Sequence, residues 1–264
     1  MISGEIKIKN NLFDQPTIFS DGKYFRDFIE KSGLSYNEKQ NLVNSTLEIL
    51  SKCIPSKFEK DSQISNTGLV IGKIQSGKTM SFTSVINLAT DNNFKIIFVI
   101  SGRTNLLLNQ TTKRLKKDLI NEHDNNFKFL KFDFGEEKKK SDIKKYKEEV
   151  KVRKKREIIK GIKDVLKRGN KTLVIPILKH QGHIRNFASI FSDVQIQLYL
   201  SRKGVLIIDD EADQASLNTY ERKNSIKGTS DESAIFNSFK QLKVSLPNHS
   251  FLQYTATPLV NLLI

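Results

Sequence analysis

Apolar residues follow two rhythms along this chain. Short unbroken runs, rich in β-branched and aromatic side chains, recur at Gly68–Ile71, Lys95–Ile100, Phe127–Phe132, Thr172–Leu178, Gly204–Asp209 and Phe251–Thr255. Each predicts a buried strand. Between them apolar positions fall three and four apart, predicting helices at Lys78–Thr90, Thr104–Asn121, Ser141–Lys167, Ile184–Leu200 and Glu232–Leu246. Strands alternating with helices predict an α/β domain with a parallel sheet covered on both faces. Upstream, Tyr24, Phe25, Phe28 and Ile29 mark a helix from Asp21 that stops at Ser32-Gly33, and a second spans Tyr36–Lys52 before Pro55. Residues 1–62 are thus expected to form a small helical element, and 63–264 the α/β domain. Residues 1–20 lack periodicity and read as a strap-like lead-in. The polar stretch 214–231 reads as a loop over the strand ends.

In an open parallel sheet, ligands bind beyond the carboxyl ends of the strands. One such end carries Gly72-Lys73-Ile74-Gln75-Ser76-Gly77-Lys78-Thr79, which fits the phosphate-binding P-loop pattern G-x-x-x-x-G-K-[ST]. An apolar strand precedes it and a helical pattern follows, the context the motif needs. The glycines let the backbone wrap a phosphate, while the loop N–H groups and the helix N-terminus supply positive potential. Gly72, Gln75, Ser76, Gly77, Lys78 and Thr79 are the candidate nucleotide-binding residues. Lys78 would reach the β- and γ-phosphates of ATP, and the Thr79 hydroxyl would ligate Mg²⁺. A second apolar run, Val205 to Ile208, ends in Asp209-Asp210-Glu211-Ala212-Asp213. An acidic helix cap looks the same in isolation. Behind a P-loop, carboxylates here suit a Mg²⁺ site and a group that orients the attacking water. A third end reads Thr255-Ala256-Thr257-Pro258.

Composition adds a partner class. The net charge is +15 and the pI about 9.7, a balance that favours polyanions. The chain is also rich in Lys, Asn and Ile together, which weakens lysine abundance as an argument. Much of the excess lies between Lys113 and Lys171, where Lys138–Lys140 and Lys151–Arg156 interleave with Glu136, Glu137, Glu148 and Glu149. Such mixed charge suits either a solvated helix or a nucleic-acid contact. The single cysteine, Cys53, excludes an internal disulfide and reads as a core thiol. No apolar run is long enough to span a membrane, and the first residues lack a signal-peptide core. A cytoplasmic location without a membrane partner is the expectation.

The order P-loop, acidic tetrapeptide, Thr-Ala-Thr resembles the first RecA-like domain of superfamily-two helicases. The wording is closer to the bacterial Z-one domain family, whose members carry an endonuclease description. The blocks that resemble it are Gly68 to Thr79, Ile208-Asp209-Asp210-Glu211-Ala212-Asp213-Gln214-Ala215-Ser216-Leu217-Asn218-Thr219, and Tyr254-Thr255-Ala256-Thr257-Pro258-Leu259-Val260-Asn261. The upstream Gly33-Leu34-Ser35 and the helix with Ser45, Thr46, Ile49 and Leu50 are similar too. The resemblance implies a RecA-like P-loop ATPase using ATP and Mg²⁺. It implies that Asp210 holds Mg²⁺ through water, that Glu211 orients or activates the nucleophile, and that Asp213, Thr255 and Thr257 couple nucleotide state to nucleic acid. Arg103 to Gln110 resembles a backbone-gripping helicase element, though a plain helix start reads the same way. Arg103, Gln110 and Lys179 are the candidate nucleic-acid contacts, with DNA preferred over RNA. A restriction or phage-defence setting is implied. A second RecA-like domain bearing an arginine finger is expected from another chain or a longer form, since the sequence stops shortly after Thr257. No nuclease constellation stands apart from the ATPase motifs.

Two further classes compete with the translocase reading. A nucleotide-dependent regulatory subunit would bind ATP with little hydrolysis. A small-molecule kinase would share the P-loop but needs neither the acidic tetrapeptide nor Thr-Ala-Thr.

Overall fold

The computed structural model describes residues 16–72, 77–119, 127–129, 155–165, 167, 171–213 and 234–257. Its centre is a sheet of six strands: β1 (Ser65–Ile71), β2 (Ile96–Ser101), β3 (Phe127–Phe129), β4 (Thr172–Leu178), β5 (Val205–Asp210) and β6 (His249–Thr255). Their order is β1-β6-β5-β2-β4-β3, and every pairing is parallel. Helices α1 (Lys23–Lys31), α2 (Tyr36–Ser51), α3 (Lys78–Asp91), α4 (Asn105–Leu119), α5 (residues 155–165), α6 (Gln181–Phe191), α7 (Val194–Leu200) and α8 (Ala234–Val244) surround it. This α/β architecture is the expected one and is consistent with a RecA-like fold.

The period-two alternation of the strands sorts the core into two layers. Phe98, Ile175, Ile207 and Phe251 face one side, where they meet Ile162, Phe187, Phe191, Leu200 and Leu242 of the later helices. Ile97, Val99, Val174, Leu206, Leu252 and Tyr254 face the other, against Phe25, Leu50, Phe82, Val85 and Leu115. The inner strands β2 and β4 are buried along their whole length, which is why their sequences show no polar alternation.

The first two helices belong to that second layer. Phe25, Leu50 and Cys53 join the same cluster as the sheet residues. Thr46 and Ser84 share a buried hydroxyl hydrogen bond of 2.6 Å between α2 and α3. The Asp91 carboxylate accepts from the Tyr24 and Phe25 amides at 3.2 and 2.8 Å, so the end of α3 caps α1. The Ile54 amide donates to Ser250 Oγ at 2.8 Å, tying the end of α2 to β6. Burial pushes the Cys53 thiol up to about 12, the inert core cysteine expected from its pattern.

Three boundaries differ from the sequence reading. The helix expected over 184–200 is two helices, α6 and α7, broken at Ser192-Asp193. The Asp193 carboxylate accepts from the Gln195 amide at 3.1 Å, and aspartate is a better cap than helix interior. β1 begins at Ser65 rather than Gly68, and β6 at His249 rather than Phe251, with Ser65 opposite His249. The early part of β1 is partly exposed at the sheet edge, so its polar residues gave no apolar run. The expected positions 130–132, 141–154 and 214–231 lie outside the described residues. No described helix is long and apolar enough to cross a membrane.

Leu50 of α2 is fully buried in the cluster that α3 and the sheet residues share. Leu50→Ala should lower the unfolding free energy by about 2–5 kcal/mol in a single cooperative transition. A shallow effect in urea titration would mean that α2 does not share the sheet's core.

Candidate functional site

The ends of β1, β6 and β5 lie side by side because β6 sits between the other two. In register, Ile71 pairs with Thr255, and Asp210 pairs with Tyr254. Two further backbone bonds prolong these ladders past the strands. The Gly72 amide donates to the Thr255 carbonyl, and the Ala212 amide to the Tyr254 carbonyl, both at 2.9 Å.

At the first end, Gly77 has φ of +78°, a left-handed turn that glycine adopts at no steric cost. It opens α3, whose first residue is Lys78. Gly77 brings no capping side chain, so the first-turn N–H groups of a 14-residue helix point outward with its positive end. Thr79 follows Lys78 in that first turn. Gln75 and Ser76 lie outside the described residues. A cavity of about 540 Å³ opens beside this turn. Gly72, Gly77, Lys78 and Tyr254 line one side, and Asn41, Leu42, Ser45 and Ile49 of α2 the other.

At the second end, Asp209 is buried and Asp210 half-buried. Burial first, and then the neighbouring Glu211 charge, push the Asp210 carboxyl up to about 6, against the pull of Lys179 and Lys78. Lys78 is therefore within electrostatic reach of this acid, although β2, β3 and β4 come between them in the sequence. Glu211 has φ of +55°, in the left-handed region that non-glycine residues seldom occupy.

At the third end, three expected coupling residues meet. Thr255 Oγ1 donates to Asp213 Oδ1 at 3.0 Å, and Thr257 Oγ1 to Asp213 Oδ2 at 2.6 Å. The Thr257 amide donates back to Thr255 Oγ1 at 3.0 Å. Burial alone would raise the Asp213 pKa, but the Thr257 and Thr255 hydroxyls together hold it below its ordinary value. One carboxylate thus gathers both hydroxyls of the third motif onto the turn that follows the acids.

The expected nucleic-acid residues separate. Arg103 is exposed on the turn after β2, and Gln110 is exposed on α4. Lys179 is a correction. It is only 2% exposed, and its ammonium donates to the carbonyls of Asp210 and Glu211 at 2.5 and 2.7 Å. It also stands 2.8 Å from Asp209 Oδ1. A lysine with its donors committed inside the protein cannot grip a phosphate backbone. Reading it as a loop cation missed this. The available signal was its place directly after the apolar run 173–178, in a sequence where another such run ends in acids.

No protein-family model matches the chain, and no curated protein matches it.

The raised Asp210 pKa sets the sign of a pH effect. The folded, ligand-free chain holds this proton more tightly than the unfolded one. That stabilisation is full below the ordinary value of 3.8 and is lost as pH rises through about 6. On acidification from about pH 7.5 to about pH 4, the wild type should gain on the order of 3 kcal/mol relative to Asp210→Asn. Parallel stability profiles of the two proteins would show that Asp210 titrates normally.

Proposed function

We propose that the chain binds and hydrolyses ATP with Mg²⁺, as the nucleotide-binding part of a helicase-like ATPase that works on nucleic acid. DNA is preferred over RNA, in a restriction or phage-defence type of system. The observation that carries this is the meeting of three strand ends, with Lys78, Asp210 and the Asp213–Thr255–Thr257 triangle on neighbouring strands.

The layout supports one direction for a bound nucleotide. The α2 cavity opens beside the P-loop flanks at the sheet edge, while the acids lie two strands inward. The base and ribose go outward against Asn41, Leu42, Ser45 and Ile49. The γ-phosphate goes inward, between Lys78 and Asp210. The donor set also suits Mg²⁺. Among the described residues no group of three or more His, Cys, Asp or Glu forms a protein cage. Mg²⁺ typically takes one or two carboxylates with phosphates and water, and here Asp210 and the Thr79 hydroxyl would hold it. When bound, it neutralises charge on the phosphates and steadies the leaving group. Lys78 holds the β- and γ-phosphate oxygens. Glu211 accepts a hydrogen bond from the attacking water and orients it in line with the γ-phosphate. Asp213 then carries the state of this turn to Thr255 and Thr257.

The charges acting on Asp210 among the described residues are Glu211, Lys179, Lys78 and Asp209, with no arginine. That favours slow turnover for the chain alone, since an arginine finger is worth roughly 10³–10⁵ in rate. A second RecA-like domain or a partner protein would supply it. The same observation supports the second reading, a nucleotide-dependent regulatory subunit with little hydrolysis of its own. For nucleic acid, Arg156, Lys160, Lys163 and Lys167 line one groove on α5 and beyond, outnumbering Asp164 and Asp193 there, a net-basic surface suited to phosphates.

Calorimetry should detect Mg·ADP and Mg·ATP binding, largely lost in Lys78→Ala and nearly intact in Glu211→Gln. A folded wild-type chain that binds neither nucleotide would end this reading. Vigorous turnover without partner or nucleic acid, abolished by Glu211→Gln, would remove the need for a second half. Single-stranded DNA should bind weakly with a steep salt dependence. Replacing Arg156, Lys160 and Lys163 by Gln should lower the log–log salt slope by about 2, and an unchanged slope would make α5 a merely solvated face.

A further inference from the structure

Lys179 directly follows β4, yet it acts on the end of β5, and β2 lies between these strands. Its backbone is seated first. The Lys179 amide donates to the Gly102 carbonyl at 2.9 Å, on the turn that follows β2. That turn has φ of +67° at Gly102, and a Cβ there would come within 2.6 Å of the Leu107 side chain. Only glycine fits. From this seat the Lys179 side chain crosses the end of β2 to the acidic turn. An ammonium has three donors. Two go to the carbonyls of Asp210 and Glu211, and the ammonium charge lies 2.8 Å from Asp209 Oδ1 as an ion pair. Both side chains of the ion pair are essentially without solvent, at 1% and 0% exposure.

The two carbonyls matter for what lies between them. The Asp210 carbonyl belongs to the peptide plane before Glu211, and the Glu211 carbonyl to the plane after it. Fixing both planes fixes φ and ψ of Glu211 together. The second plane is held again from its other side, where the Ala212 amide donates to the Tyr254 carbonyl at 2.9 Å. Glu211 needs such restraint, because its left-handed φ of +55° brings Cβ against its own carbonyl. The direction of its Cα–Cβ bond is set by the same two angles.

We propose that Lys179 is a positioning residue that clamps the turn after β5, holding Glu211 left-handed so that the Asp210 and Glu211 carboxylates stand toward the P-loop. The proposal rests on the nucleotide reading for its purpose, but not for the clamp itself. Lys179 touches neither nucleotide nor metal. It acts through the backbone of the two acids.

A double-mutant cycle in urea unfolding tests the clamp without nucleotide. Asp209→Asn is carried in all four proteins, so that no unpaired carboxylate is left when the lysine is removed. Lys179→Met should lower the urea midpoint clearly when residue 211 is Glu. With Glu211→Gly the loss should fall to about half or less, because glycine holds the turn without help. Equal losses in both backgrounds would overturn the clamp. If Lys179→Met fails to fold beside Glu211, Glu211→Gly should restore folding, and failure to do so would also overturn it. The second readout uses ADP with and without Mg²⁺. Lys179→Met should cut the Mg²⁺-dependent gain in ADP affinity about tenfold, and leave Mg²⁺-free ADP affinity unchanged. A coupled cycle with an unaltered Mg²⁺ gain would show that the clamp does not serve the acids, which overturns the positioning role. A wild type that binds no nucleotide would end the reading of the site, while the cycle still decides the clamp.

Discussion

The position of β6 between β1 and β5 is the constraint on which the rest of the molecule depends. In a parallel sheet, neighbouring strands in register end at the same level. Because Thr255 pairs with Ile71, and Tyr254 with Asp210, the start of the Gly72–Thr79 motif and the acidic turn are brought to one end of the sheet. Hydrogen bonds from Gly72 and Ala212 then extend both ladders into the turns. Remove β6, and Lys78 and Asp210 lose the spacer that sets them on either side of one strand's width.

The second constraint is electrostatic. Asp209, Asp210, Glu211 and Asp213 fall within five consecutive positions, and a turn so acidic repels itself where water is scarce. The fold answers with cations from two directions. Lys78 approaches from the β1 side and Lys179 from the β4 side, and both act on Asp210. Lys179 is buried and committed, whereas Lys78 stands at the mouth of a cavity. Their tasks therefore differ, one internal to the turn and the other open to a ligand. Asp213 is held chiefly by two threonine hydroxyls, with Lys78 adding a smaller pull.

Much of this was legible in the sequence, for physical reasons. Strands buried on both faces, such as Thr172–Leu178, must be continuously apolar and announce themselves. Asp213, Thr255 and Thr257 were singled out only through the resemblance, and the hydrogen bonds that join them depend on the β5–β6 pairing that sets their turns side by side. The first residues of β1 were not readable, since an exposed edge strand carries no apolar run. The break between α6 and α7 hung on one aspartate that could have sat in a helix surface. Lys179 was misread because a lone lysine after a strand has no periodicity. Only the strand order, with β2 between β4 and β5, brings its ammonium to the acids. The wall that α2 lends to the cavity is likewise a product of packing, since Asn41 and Leu42 carry no motif.

The most direct measurement is a crystal structure of the chain with Mg²⁺ and a non-hydrolysable ATP analogue. The expected density has phosphates wrapped by residues 72–79, a metal between Thr79 and Asp210, and the base against α2. Glu211 should remain left-handed, facing the γ-phosphate. A nucleotide bound elsewhere, or a metal that ignores Asp210, would contradict the single site at the ends of β1, β6 and β5.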